Sequence, residues 1–164
     1  MEQETPQPQM KRELGLLDGT GSSAKFHFPL GITLDNAGDA YVTDYNNYDI
    51  RKITSAGVVT TIAGSGTRGT ANGTGTAASF DTPYFLTIDK SGNLYVTDSR
   101  INLIRKVDPS GVVTNYAGSG AKGAVNGPLT TASFNIPAGI ATDAAGNMYI
   151  ADHDNNLIRK IGMQ

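Results

Sequence analysis

The chain has 164 residues, 38% of them hydrophobic and 17% charged, with 20 glycines and a formal net charge of −2. That balance argues against a nucleic-acid binder, which relies on a clustered excess of Lys and Arg. The chain has no cysteine, which excludes disulfides and thiolate metal sites while leaving the compartment open, and no apolar run approaches the length of a membrane span.

The first fourteen residues, "MEQETPQPQMKREL", are polar, carry two prolines and lack the apolar stretch of a signal peptide. Residues 1–14 are read as a polar segment able to add an outer strand to a neighbouring unit. From residue 15 to 164 the sequence repeats. Phe26, Phe80 and Phe134 are 54 residues apart, and the same offset relates Pro29, Pro83 and Pro137, as well as Tyr41, Tyr95 and Tyr149. It also relates Asp44, Asp98 and Asp152, and Arg51, Arg105 and Arg159. Two full units, 26–79 and 80–133, precede a partial one, 134–164.

Each unit predicts four short strands. In the first, "GITLD" (31–35) ends at the turn "NAGD", whose glycine supplies a positive φ. "AYVTD" (40–44) and "DIRKI" (49–53) follow, then the β-branched run "VVTTIAG" (58–64). A Gly/Ser/Thr/Ala spacer, 65–79, leads to the next Phe. Apolar residues occupy both parities of the strands, as expected of sheets covered on both faces. The fold class is therefore all-β, with four-stranded antiparallel blades of a β-propeller, three to the chain.

The third unit, "FNIPAGIATDAAGNMYIADHDNNLIRKI", resembles the NHL repeat, and the resemblance extends over about residues 16–161. It implies propeller blades, six to a ring in most members, and its spacers are similar to those of exported bacterial proteins, which implies an extracellular or periplasmic setting. Three blades leave sheet edges open. The expected solution is a homodimer of three-bladed halves closing a six-bladed ring, with residues 1–14 of one copy supplying the strand that the other's last blade lacks.

Asp44 and Arg51, Asp98 and Arg105, and Asp152 and Arg159 are expected to face one another across the second hairpin of each unit. Because the pairs recur with the period, they are read as structural, and the adjacent lysines as solvated. The repeated tyrosines are read as inter-blade packing. No metal site is expected from the two unmatched histidines; Asp152, Asp154 and Asn155 resemble a calcium loop only weakly, without its glycine and terminal Glu. Enzyme signatures are absent, so no cofactor is expected. Function is sought where the copies differ on one loop face: Tyr45, Tyr48, Arg68, Arg100, Ile101, Lys122, His153 and Asp154. These residues suit a protein or glycan ligand. The reading is a binding or scaffold module without chemistry of its own. Two alternatives are a propeller-type lyase or hydrolase with a metal-assisted site at the ring axis, and an excised or rebuilt three-repeat fragment with no independent function.

Overall fold

A computed structural model describes residues 15–162; the expectation for residues 1–14 lies outside them. Among the described residues, thirteen strands form three successive antiparallel sheets. The first sheet comprises β1 (Gly19–Thr20), β2 (Pro29–Leu34), β3 (Ala40–Asp44), β4 (Asp49–Ile53) and β5 (Val58–Ala63). The second comprises β6 (Gly73–Thr74), β7 (Pro83–Ile88), β8 (Leu94–Asp98), β9 (Leu103–Val107) and β10 (Val112–Ala117). The third comprises β11 (Pro137–Thr142), β12 (Met148–Asp152) and β13 (Leu157–Ile161).

The edge strands β2, β7 and β11 lie side by side, and the sheets radiate from this shared inner edge. Each inner strand opens on the periodic proline, a position where the missing N–H costs no ladder bond. Gly31 on β2 permits the close approach: a Cβ there would lie 2.8 Å from Phe85 Cα on β7.

Four strands per unit were expected, and the first two sheets contain five. The spacer doubles back before each Phe, so that Gly19–Thr20 pairs with β5 and Gly73–Thr74 with β10. This covers an outer edge that would otherwise invite association.

The sheets pack face to face through two apolar layers. Ile50 and Ala63 of the first sheet meet Phe80, Leu86, Leu94 and Val96 of the second, with Tyr41 against them. Tyr95 and Ile104 of the second meet Phe134, Met148 and Ile150 of the third. The third tyrosine, Tyr149, has no sheet beyond it and is 39% exposed. The turn glycine Gly38 has φ 85°, and Asp35 Oδ1 accepts the N–H groups of Ala37 and Asp39, an arrangement repeated at Asp89 and Asp143.

Candidate functional site

The periodic Asp and Arg residues are not directly opposed across the hairpin. A three-residue 3-10 turn, closed by a left-handed residue, sets the register so that Asp44 lies opposite Asp49 and Arg51 opposite Val42. The carboxylate and guanidinium therefore meet on the diagonal, at 3.1 Å for Asp44–Arg51, 3.4 Å for Asp98–Arg105 and 2.9 Å for Asp152–Arg159. All six residues are buried. Each guanidinium also lies over the periodic Phe and donates to spacer carbonyls, as Arg51 does over Phe26 and to Lys25 and Leu17. Each Asp accepts backbone N–H groups just before the inner strand: His27 for Asp44, Asp81 and Thr82 for Asp98, Asn135 for Asp152. The arrangement ties turn, spacer and inner strand together in every unit. The lysine beside Arg51 is not free, because Lys52 Nζ bonds Asp39 Oδ2 at 2.8 Å and lies over Tyr41.

Asn47 and Asn155 donate a further bond to their Asp, and Ile101 takes that place in the second unit. Burial pushes the Asp98 carboxyl up to about 6, against the lowering pull of the Thr82 and Asp81 N–H groups and of Arg105. Ile101 thus stands at a turn position that carries a structural Asn in the other two units. Tyr48 likewise occupies the left-handed position (φ 57°) filled by Asn102 and Asn156 elsewhere.

Four of the loop-face residues come together. Tyr45, Arg100, Lys122 and His153 line one cavity of about 460 Å³ with Thr82, Tyr84, Ser99, Ile136 and Ala138. The turn residues arrive from the β3–β4, β8–β9 and β12–β13 connections, Lys122 from a spacer, and Tyr84 and Ala138 from the inner strands, so the cavity opens beside the shared inner edge. The Tyr45 and Tyr84 rings meet edge to face, centroids 6.0 Å apart at 65°. Arg100 and Lys122 are exposed and have no ion-pair partner among the described residues, whereas His153 Nδ1 contacts Asp154 Oδ1 at 2.7 Å. Arg68 lies outside the lining and is held by Asp81 through two bonds of 2.9 and 3.0 Å. The Asp152 carboxylate is fully engaged by Asn135, Asn155 and Arg159, and no cluster of three or more His, Asp or Glu arranged for a metal occurs among the described residues.

Thr82, Tyr84, Ser99, Ile136 and Ala138 are the lining residues that motif reasoning passes over, Tyr84 and Ile136 being the largest of them. Tyr84 belongs to the "PYFLTID" run, where Leu30 and Ala138 are its counterparts, and that disparity was its signal. Ile136 has φ 53°, a left-handed conformation that a β-branched residue adopts only under constraint; its N–H is held by Asn102 Oδ1 at 3.0 Å.

A family profile described as "NHL repeat" matches residues 26–53, which spans β2, β3 and β4, the segment that recurs at 80–107 and 134–161. The chain is built of NHL repeats. This NHL chain is 30% identical over 162 residues to Protein SUPPRESSOR OF QUENCHING 1, chloroplastic, of Arabidopsis thaliana, an alignment covering 92% of the chain and 15% of the plant protein. Among solved structures it resembles an auxiliary nutrient binding protein from Bacteroides ovatus, with TM-score 0.68 and 28% identity over 79% of the chain and 36% of that protein. It also superposes on virginiamycin B lyase from Staphylococcus aureus, with TM-score 0.50 and 20% identity over 82% of the chain and 41% of the lyase, a likeness of fold alone. The NHL chain thus has an all-β propeller fold and spans well under half the length of each of these proteins.

Proposed function

We propose that this NHL chain is a non-catalytic binding module whose ligand sits in the cavity between Tyr45, Tyr84, Arg100 and His153. The observation that carries the reading is that side chains from all three repeats converge there at positions where the repeats differ. Residues that maintain the fold keep the period; here Tyr45, Ser99 and His153 are counterparts, as are Leu30, Tyr84 and Ala138. The cavity volume lies within the roughly 300–1,000 Å³ of small-molecule sites. The similarity to a nutrient binding protein of Bacteroides ovatus supports binding over catalysis.

The reading includes a closed ring. Ile32 and Leu34 are 66% and 62% exposed, although their counterparts Leu86 and Ile88 pack in the first apolar layer. Ile158 is 73% exposed, while its counterparts Ile50 and Ile104 are fully buried. The open face of the third sheet therefore repeats the faces that meet β7 and β11, and the open face of the first sheet repeats the faces they meet. A second copy satisfies both ends at once by two-fold symmetry, giving six blades. A cavity of about 570 Å³ runs along β13 between Arg159–Gly162 and Asn126–Leu129, where β10 lies in the second sheet.

Two measurements test the reading. Light scattering at rising concentration is expected to give the dimer mass, and Ile158→Glu the monomer mass. A wild-type monomer at every concentration would overturn the ring and leave the open faces to further repeats of a longer chain. Thermal-shift screening of sugars, organic acids and peptides is expected to yield ligands whose stabilisation disappears in Tyr84→Ala. A screen without any Tyr84-dependent ligand would overturn the binding site.

A further inference from the structure

We infer that the ligand of this cavity is a sugar acid, an oligosaccharide unit bearing a carboxylate; the inference rests on the binding reading above. Its first support is charge. Arg100 and Lys122 line one cavity from two segments of the second repeat, the β8–β9 turn and the spacer after β10, both exposed and neither paired with a carboxylate among the described residues. Asp154 answers only His153, and Asp81 is already bonded twice by Arg68. The cavity thus holds two uncompensated cations on a chain whose net charge is −2. An anion entering it gains charge-assisted hydrogen bonds, and Arg100 offers the fork that fits a carboxylate.

The second support is the shape and chemistry of the remaining wall. Tyr45 and Tyr84, both half-buried, form an aromatic corner in the lining, and Ile136 and Ala138 add apolar surface beside it. A sugar ring has an apolar C–H face that lies on an aromatic ring and hydroxyl groups around its rim, so it uses both parts of a tyrosine at once. A bare inorganic anion would leave the tyrosine corner unused. A neutral sugar would leave the two cations unanswered. Ile136 keeps its left-handed backbone at this wall, held by Asn102, so the apolar part of the corner is fixed before any ligand arrives.

The test is calorimetric titration of the intact chain with a galacturonate oligosaccharide, the matching neutral galactose oligosaccharide, inorganic phosphate and a nucleoside monophosphate, at low and at physiological ionic strength. The galacturonate is expected to bind, and the neutral oligosaccharide to bind at least about tenfold more weakly. The Arg100→Gln/Lys122→Gln double variant is expected to lose roughly tenfold or more of the galacturonate affinity while keeping its melting temperature, and Tyr84→Ala to lose a comparable factor. Equal affinity for the neutral oligosaccharide would overturn the sugar-acid assignment while leaving a binding site in place. Tighter binding of phosphate or the nucleotide than of galacturonate would overturn it in favour of a phosphate ligand. If no probe binds, and the thermal-shift screen also finds no Tyr84-dependent ligand, the binding reading falls with it.

Discussion

Replacing Asp49 by Leu stabilises the protein by about 3 kcal/mol or more at pH 8 and by far less at pH 4. Asp49 is fully buried on β4, and neither of its carboxylate oxygens has a hydrogen-bond partner among the described residues. It lies opposite Asp44 and two residues from Arg51, whose guanidinium is already shared between Asp44 and Asp18. The second and third repeats carry Leu103 and Leu157 at this position, and Asn72 and Asn126 where the first has Asp18. Burial first, and then the Asp44 charge, push the Asp49 carboxyl up to about 8, with Arg51 pulling the other way.

The folded state therefore holds a proton on Asp49 through the range in which the unfolded chain has lost it. The Asp49 contribution is fully present below the ordinary carboxylate range and is lost as pH rises toward 8, by at most about 5 kcal/mol over some four pH units. Asp98, raised to about 6, contributes in the same direction over the lower part of the window, so the decline between pH 6 and 8 belongs mainly to Asp49. Leu removes the titration and fits a site that already accommodates Leu103 in the second repeat. Denaturant unfolding at pH 4, 6 and 8 checks this: a wild-type stability that does not decline over that range, or a variant less stable than wild type at pH 8, would contradict it.

Arg105→Ala is expected to cost about 4 kcal/mol, roughly 8–16 °C in melting temperature for a chain of this size. The guanidinium donates to Ser79 and Ala71 carbonyls, to Asn72 Oδ1 and to Asp98, and it lies 5.4 Å from the Phe80 ring centroid. Its loss frees two spacer carbonyls and leaves the Asp98 carboxylate buried without a cation. Asp98 must stay an acceptor, because it receives the N–H groups of Asp81 and Thr82 at 3.2 and 2.6 Å. The variant's Asp98 is consequently driven further above the ordinary range, and its deficit grows as pH rises from 5 to 8. Asp98→Asn in the same background keeps one of the two acceptor oxygens, discards the charge and recovers part of the loss at pH 8. Thermal melts of the three proteins at pH 5 and 8 decide it; a loss below about 1 kcal/mol for Arg105→Ala would show that the pair contributes little.

The hairpins show how far local pattern carries. Ala40–Asp44 and Asp49–Ile53 have the bounds expected from the alternation and the turn residues, since both signals reside within a few residues of the chain. The Asp–Arg register was two residues off because the 3-10 turn and the left-handed Tyr48 set it, and nothing in the strand pattern encodes turn geometry. The outer strands at Gly19 and Gly73 escaped notice for a related reason. Two residues of a glycine-rich spacer become a strand only because β5 and β10 offer them a free edge. Asp49 was legible in principle, as the one acid at a position held by Leu in the other copies, but its cost depends on what surrounds it. Grouping Tyr45, Arg100, Lys122 and His153 on one loop face required only strand direction. Adding Tyr84 and Ile136, and separating Arg68 and Ile101, required the inner strands to be brought together.

By itself the sequence determined the repeat, its 54-residue period, the all-β class and the residues that keep each unit intact, because a fold built by repetition writes its requirements once per copy. The tertiary structure alone decided which unmatched residues share a cavity and which acid is buried without a partner among the described residues. Those properties depend on distances between repeats and on exclusion of water, and neither is a property of any single stretch of chain.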